Sequence, residues 1–354
     1  MSEASQSSAK LITIFGPPSG FTHFCVFILH HLLRATIGEF DHVAASEVNQ
    51  LRPAWAARRH SNFLLFSDCP ERAIIETYLR TSAPVILIVE DPVDVIEHII
   101  HERALDPAWA IRLAEQSLST LIDVLYTDHT LRIPRDSGMS LKEFLSNAAR
   151  HFALPLEETH IHEIGKAIAP GVIDPASRTM DLLYRTNWPN AAPRSGGKIK
   201  RNLQMLSPIL NRMREIQAGR PPVSFEWPVE LFMQGGSPHV LFCGEVSLVG
   251  PARCIIYGPY LSLPNGEWEV EARLHVSENY SGNGLEIDVY QSEVLCSRRF
   301  PLPAAGGLEL RARFRSSDPR SAVQLRFMTT QGAIEGVLSL LSVKITAVNG
   351  LSVQ

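Results

Sequence analysis

The stretch LITIFGPPSGFT, residues 11–22, decides how the first part of this chain folds. Its apolar residues 11–15 predict a β-strand, which ends abruptly in the Gly- and Pro-rich turn over residues 16–20. A helical pattern then starts at Thr22. In a strand–turn–helix unit, backbone N–H groups and the positive end of the helix dipole can face one anion. The stretch therefore predicts either an anion-binding loop or a tight turn with Thr22 as N-cap.

This loop lacks the cation that phosphate-binding loops usually carry. The common pattern is Gly, four residues, then Gly-Lys-Ser/Thr. Here Phe15 stands at the first Gly position and Phe21 at the Lys position. A phosphate site on this loop would need positive charge from elsewhere. The Gly-rich basic loop around Arg194 and Lys198 is the candidate source, and the alternative is a solvated basic loop.

Composition is typical of a globular protein with two domains. The chain has 354 residues, a formal net charge of −4 and five cysteines without a CxxC pair. The charge predicts no nucleic-acid partner, and the cysteines predict reduced, mostly buried thiols. The polar start lacks the pattern of a signal peptide, and the apolar run that follows it is too short to span a bilayer. We therefore expect a cytoplasmic protein without a membrane span.

The hydrophobic period changes near residue 220, which predicts the domain boundary. Before it, strands such as NFLLFS and PVILIVE alternate with helices, which predicts a parallel sheet flanked by helices. Residues 107–150 have a helical pattern throughout. After the boundary the period is two, with regularly spaced turns, which predicts an antiparallel β-sandwich of jelly-roll type. The predicted division is an α/β domain over 1–220, a linker over 221–228 and the sandwich over 229–354.

Three motifs follow one another along the first domain. Residues 17–22 read PPSGFT, residues 67–70 read SDCP, and residues 90–95 read EDPVDV. In this order they resemble the sulfotransferase family, whose motifs are Pro-Lys-Ser-Gly-Thr-Thr, Ser/Thr-His-x-Pro and Arg-Asp/Asn-Pro-x-Asp-Val. That family moves a sulfuryl group from 3′-phosphoadenosine 5′-phosphosulfate to a hydroxyl or amine. The resemblance implies a P-loop-type α/β fold and a site for this donor.

The resemblance also implies which residues would hold the donor. A late Arg-x-Gly loop of the family, which contacts the 3′-phosphate, is similar to residues 194–198. The residues that would bind the donor are Gly16, Ser19, Gly20, Thr22, Arg194, Gly196 and Lys198.

Three positions of the family's chemistry are substituted. Pro18 stands for the lysine of the first loop, and Glu90 stands for the phosphate-binding arginine. Asp68 stands for the histidine that acts as general base, so it is the candidate catalytic base, with an N-cap of the following helix as the alternative. Sulfuryl transfer needs positive charge at the leaving phosphate. Either the donor is bound differently, or the core is a pseudoenzyme.

One helix face offers a metal-like pattern. Asp94, His98 and His101 lie at i, i+4 and i+7. A surface row of ion pairs and hydrogen bonds explains the same spacing. We expect no metal.

The second domain has charged and aromatic rows. Arg311, Arg313 and Arg315 alternate along one strand and would suit an anionic glycan, although a ladder with the glutamates of residues 267–271 is simpler. The tyrosines that could stack on a sugar are Tyr257, Tyr260 and Tyr280. The pattern YGPYxxLPxGxWxVxxxL resembles β-sandwich modules appended to some bacterial cell-surface polysaccharide enzymes.

Two functions are consistent with these features. The first is a sulfotransferase-like transferase that acts on a glycan or polysaccharide precursor. The second is a non-catalytic glycan-binding or assembly protein of a polysaccharide pathway, built on the same fold. Both predict a glycan partner, and either is compatible with a homo-oligomer or with a pathway enzyme as partner.

Overall fold

A computed structural model describes residues 10–188, 206–220, 223–236 and 240–348. The chain forms two compact units. The first is drawn from residues 1–106 and 120–195, and the second from residues 107–119 and 196–354. The second unit thus includes residues 107–119 and 196–220, which the predicted division assigned to the α/β domain. No helix within the described ranges is long and apolar enough to cross a membrane.

The first unit contains a five-stranded parallel sheet, as the alternating pattern predicted. Its order is β2-β3-β1-β4-β5, and apolar side chains bury the central strands on both faces. The strands are β1 (Leu11–Phe15), β2 (Asp41–Ala44), β3 (Phe63–Ser67), β4 (Val85–Val89) and β5 (Thr130–Pro134). β5 corrects the prediction that residues 107–150 are helical throughout.

Helices flank this sheet and also contribute to the second unit. In chain order they are α1 (Gly20–Ile37), α2 (Val48–Ala56), α3 (Arg72–Thr81), α4 (Pro92–Arg103), α5 (Pro107–Leu125), α6 (Leu141–His151), α7 (Glu158–Ile168), α8 (Met180–Asn187) and α9 (Ser207–Gln217). Helix α1 shares one buried core with residues of α6, α7 and α8. The start of α5 and all of α9 belong to the second unit.

The order of the parallel strands marks where a ligand would bind. The chain leaves β1 towards β2 on one side, whereas it leaves β4 towards β5 on the other side. Neighbouring strands whose connections diverge form a crevice outside their carboxyl ends, where α/β proteins bind ligands. The residues after Phe15 and after Val89 therefore border the expected site.

The second unit contains two antiparallel sheets, as the period of two predicted. One has the order β13-β10-β15-β6 with β8 beside β15, and the other has the order β12-β11-β14-β9-β7. The strands are β6 (Ser224–Trp227), β7 (Met233–Gln234), β8 (Glu245–Ser247), β9 (Cys254–Leu261), β10 (Gly266–Ser277), β11 (Gly284–Gln291), β12 (Glu293–Pro301), β13 (Gly306–Ser316), β14 (Val323–Thr329) and β15 (Val337–Ala347). Alternate residues of β10 and β14 are buried, so one face of each sheet forms core.

Candidate functional site

The turn after β1 is held together by its own contacts. Helix α1 begins at Gly20, and the N-cap is Ser19, whose Oγ accepts from the Thr22 backbone N–H at 3.0 Å. The predicted Thr22 cap is therefore wrong by three residues, because Thr22 already lies inside the helix. A Cβ on Gly16 would lie 2.8 Å from the Thr22 side chain and 2.9 Å from Ile88, so only glycine fits there.

Several backbone positions of the same turn cannot donate to an anion. Pro17 and Pro18 have no N–H, and the Gly16 N–H donates to the Ser67 carbonyl at 3.3 Å. Phe21, at the position of the phosphate-binding lysine, is fully buried with its ring edge-on to Tyr184, 5.7 Å away. The predicted donor residues Gly16, Ser19, Gly20 and Thr22 thus lie together and are buried, and their role towards a donor stays a prediction.

Removing the cap tests the account of this turn. We expect Ser19→Ala to lower the free energy of unfolding by about 1–2 kcal/mol, because the Thr22 N–H loses its acceptor. Gly16→Ala should cost about 1–3 kcal/mol through overpacking against Thr22 and Ile88. Urea titration of both variants against the parent measures this. Two unchanged midpoints would show that the turn is not held in the way described.

A buried cation, Arg135, lies at this edge of the sheet, and the sequence analysis missed it. β4 and β5 pair as far as Val89 and Pro134, so Glu90 and Arg135 follow side by side. Arg135 Nη1 donates to Glu90 Oε1 at 2.5 Å and to Asp94 at 3.2 Å, and Nε donates to Asp181 at 2.7 Å. Its guanidinium lies 4.9 Å from the centre of the Tyr184 ring.

Carboxylates outnumber cations in this cluster. Glu90, Asp94 and Asp181 face Arg135, and Arg185 adds an ion pair with Asp181 at 2.8 Å. Burial raises the pKa of Glu90 to about 7, although Arg135 opposes the shift. Burial also raises the pKa of Asp94. The Arg135 charge is thus fully engaged by acids, and the cluster does not favour a bound anion.

Asp68, the candidate base, lies at the end of β3 but is not a helix cap. The N-cap of α3 is Glu71, so the capping alternative for Asp68 is wrong. Its carboxylate accepts from Ser46 Oγ at 3.3 Å and lies 3.7 Å from Arg103. Burial lowers the pKa of the nearby His23, and the negative charge of Asp68 opposes part of this shift. A catalytic role for Asp68 stays a prediction.

A cavity of about 330 Å³ lies beside the turn, between the start of α1 and the end of α4. Its volume is within the range of small-molecule sites. The lining residues are Pro18, Gly20, His23, His98, Ile99, Glu102, Arg103 and Trp188. Of the predicted donor residues, Gly20 lines this cavity. Arg194, Gly196 and Lys198 lie outside the described residues.

The metal-like row on α4 is divided between different environments. Asp94 bonds to Arg135, His98 is buried beside the cavity, and His101 is exposed. Over the ranges that the structure describes, no group of three or more His, Cys, Asp or Glu side chains could hold a metal.

In the second unit, the arginine row is an ion-pair ladder. β13 and β10 are adjacent, with Glu269 opposite Arg313 and Glu271 opposite Arg311. Their charged groups meet at 2.8 Å and 3.0 Å, respectively. The ladder alternative is therefore correct for these two arginines.

The solvent-side face of the other sheet carries tyrosines around one ion pair. Arg326 on β14 bonds to Asp288 on β11 through two contacts, Nε–Oδ1 at 2.7 Å and Nη2–Oδ2 at 2.6 Å. The guanidinium lies 4.4 Å from the centre of the Tyr290 ring, and Tyr257 is opposite Arg326 on β9. We call Tyr257, Asp288, Tyr290 and Arg326 the tyrosine face. The sequence analysis did not find Asp288 or Arg326.

Further aromatic side chains extend this face at one end. The ring centre of Tyr260 lies 6.0 Å from that of Tyr257 and 6.5 Å from that of Trp109. The Arg112 guanidinium lies 5.3 Å from the Tyr260 ring centre. Tyr260 has a φ of +65°, a left-handed conformation that is rare for a tyrosine. Tyr280 is 77% exposed on a loop and does not belong to the tyrosine face or its extension.

Comparison with known proteins shows only distant likenesses. No protein-family model matches the chain, and no curated protein matches it. Mouse sulfotransferase SULT7A1, solved in complex with PAP, is similar at 12% identity and a TM-score of 0.37, over 60% of this chain and 88% of the other. The xylan-binding module CBM15 is similar at 16% identity and a TM-score of 0.28, over 36% of this chain and 97% of the other. TmCBM61, solved in complex with β-1,4-galactotriose, is similar at 10% identity and a TM-score of 0.23, over 29% of this chain and 68% of the other.

Proposed function

We propose that this chain is a non-catalytic glycan-binding protein, and that the glycan binds on the tyrosine face. The observation that carries the proposal is the placement of Tyr257 and Tyr290 around the Arg326–Asp288 pair on an accessible sheet face. Tyrosine rings offer flat apolar surfaces with a polar end, and such rings suit the C–H faces of sugars.

The ion pair would supply the polar contacts. Asp288 is only 4% exposed and holds the guanidinium of Arg326 in a fixed plane. A planar donor group that is already oriented loses little conformational entropy when it bonds to sugar hydroxyls. The site is therefore organised before the ligand arrives.

The first unit supports a non-catalytic function. Pro18 replaces the lysine of the resemblance, and Glu90 stands where its arginine would bind phosphate. The buried cation Arg135 is bonded to three carboxylates, and Arg103 beside the cavity lies 3.7 Å from Asp68. Among the described residues, the edge of the sheet thus offers little charge to stabilise a leaving phosphate.

A sulfotransferase-like transferase is the second candidate, because a cavity does border the predicted donor residue Gly20. In that case Arg194 and Lys198 would supply the charge and Asp68 the base. Titration with 3′-phosphoadenosine 5′-phosphate, followed by thermal unfolding, tests this. A shift that Arg194→Ala abolishes would support the transferase, and no shift at about 1 mM ligand would exclude this donor.

Glycan binding is tested by affinity electrophoresis on a panel of soluble polysaccharides. We expect retardation in at least one gel, and we expect Tyr257→Ala to weaken that binding about tenfold, since a central aromatic contact is lost. Tyr280→Ala is the matched control, because this tyrosine lies apart on a loop. Equal retardation of parent and Tyr257→Ala would contradict a site on the tyrosine face.

A further inference from the structure

A groove runs along one side of α1 in the first unit. The cavity of about 330 Å³ and a second one of about 350 Å³ both contact His23. Together they follow α1 from Gly20 to Arg34, which at 1.5 Å per residue is about 21 Å. The second cavity is lined by His23, Val26, Phe27, His30, His31 and Arg34. We call the two cavities together the α1 groove.

The wall of the α1 groove contains a row of rings. Phe27 lies 5.5 Å from Trp188 and 4.7 Å from His31, measured between ring centres. The imidazoles of His23 and His98 follow towards the start of the helix, 6.4 Å apart. Such a wall combines flat apolar surface with hydrogen-bonding nitrogen atoms along its length.

Three of the imidazoles that line the α1 groove carry little charge at neutral pH. Burial lowers the pKa of His23 and of His31, and it lowers that of His30 to about 4, with His42, Arg34 and His31 adding to the shift. These imidazoles are therefore mainly neutral at pH 7.

The charged side chains that line the groove lie near its ends. Among the described residues they are Glu102 and Arg103 at one end and Arg34 at the other. Arg103 also lies 3.7 Å from Asp68. A strongly anionic or cationic ligand would find little charge of the opposite sign along this length.

We propose that the α1 groove binds a neutral oligosaccharide. Sugar rings would lie against Trp188 and Phe27, and their hydroxyls would bond to the imidazoles and to the carboxylate and guanidinium at the Glu102 end. A groove about 21 Å long with rings at intervals fits a chain of sugar rings, and its volume fits a small number of them. This site is separate from the tyrosine face and does not depend on it.

The test uses the full chain with the tyrosine face disabled by Tyr257→Ala and Tyr290→Ala. Calorimetric titration with maltohexaose, cellohexaose and xylohexaose, each at about 1 mM, is compared with titration by hexagalacturonate. We expect one neutral hexasaccharide to bind and the charged one not to. Binding of the charged chain alone, or of none, would overturn the proposal.

Two further variants locate the site. Trp188→Ala and His31→Ala should each weaken binding about tenfold, whereas His101→Ala, an exposed histidine on α4, should leave it unchanged. His31→Ala removes a side chain that is only half-buried, so it still tests the site if Trp188→Ala fails to fold. If neither variant changes the affinity, the ligand does not lie in the α1 groove.

The pH profile gives a second readout. At acidic pH, His23 and His31 gain protons near Arg34 and Arg103, while Asp68 and Glu102 offset part of that charge. Charging the groove should weaken binding of the neutral chain as the pH is lowered from 7. The tyrosine face has no histidine among its four residues, so binding there should not follow this profile.

Discussion

Replacing Arg135 by methionine should lower the free energy of unfolding of this protein by about 3–5 kcal/mol. The Arg135 and Glu90 side chains are only 7% and 2% exposed, so the substitution leaves a buried carboxylate without its cation. Asp94 and Asp181 lose the same donor but remain partly exposed to water. The largest cost therefore comes from Glu90.

The size of this loss should depend on pH. The folded-state pKa of Glu90 is about 7, above its ordinary 4.5, so protonation of Glu90 favours folding at low pH and that contribution is lost as pH rises through 7. Without Arg135, burial would raise the pKa of Glu90 further. The deficit of Arg135→Met should therefore be larger at pH 8 than at pH 5.

Hydrogen exchange of the amides in β4 and β5 measures the loss of stability beside the substituted residue, and urea titration measures the loss for the whole protein. The double variant Arg135→Met/Glu90→Gln should recover most of the loss, because no buried charge remains. If Arg135→Met is as stable as the parent at pH 8, the buried pair does not hold this edge of the sheet.

The second large effect is expected in the second unit. Glu115 on α5 and Arg212 on α9 form a buried ion pair, with both side chains 2% exposed. Burial raises the pKa of Glu115 to about 7 and lowers that of Arg212, so both charged forms depend on each other. Arg212 also stacks on Phe225, 3.8 Å from the ring centre. Arg212→Met should cost about 3–5 kcal/mol.

A double substitution separates pairing from packing. Glu115→Leu/Arg212→Met removes both charges and keeps apolar volume, so its stability should return to within about 1–2 kcal/mol of the parent. Denaturant titrations of the two single variants and the double variant give the coupling energy. Additive losses would show that the two side chains do not act as a pair.

Much of the fold could be predicted from short apolar runs. β1, β3 and β4 are continuous hydrophobic segments, and the period of two in β10 and β13 is regular. β5 was missed because its five residues, TLRIP, include a charge and only Ile133 is buried. β2 is a four-residue edge strand with alternating exposure, which gives an equally weak signal.

Because β5 was not predicted, the buried Arg135–Glu90 pair of the first unit was not predicted either. Arg135 is recognisable only once β5 is known, because the carboxyl end of that strand brings it beside Glu90. The place of residues 107–119 in the second unit was also out of reach. It depends on contacts across the chain, such as the Arg112 guanidinium donating to the carbonyls of Pro259 and Leu231.

The tyrosine face was partly foreseen. Tyr257 and Tyr260 were candidate sugar-stacking residues, but alternation along one strand could not show which strand lies opposite them. The pairing of β9, β14 and β11 places Arg326 between Tyr257 and Asp288. Register of this kind depends on long-range packing, so a single sequence leaves it open.

The most direct measurement is a calorimetric titration of the full chain with the oligosaccharide of the best-retained polysaccharide. It compares the parent with Tyr257→Ala/Tyr290→Ala and with a control pair, Glu269→Gln/Arg313→Gln, on the ion-pair ladder of the other sheet. We predict that the control binds like the parent. The tyrosine variant should lose the binding step assigned to the tyrosine face, with affinity reduced at least about tenfold. Unchanged binding in the tyrosine variant, or loss in the control alone, would contradict a glycan site on the tyrosine face.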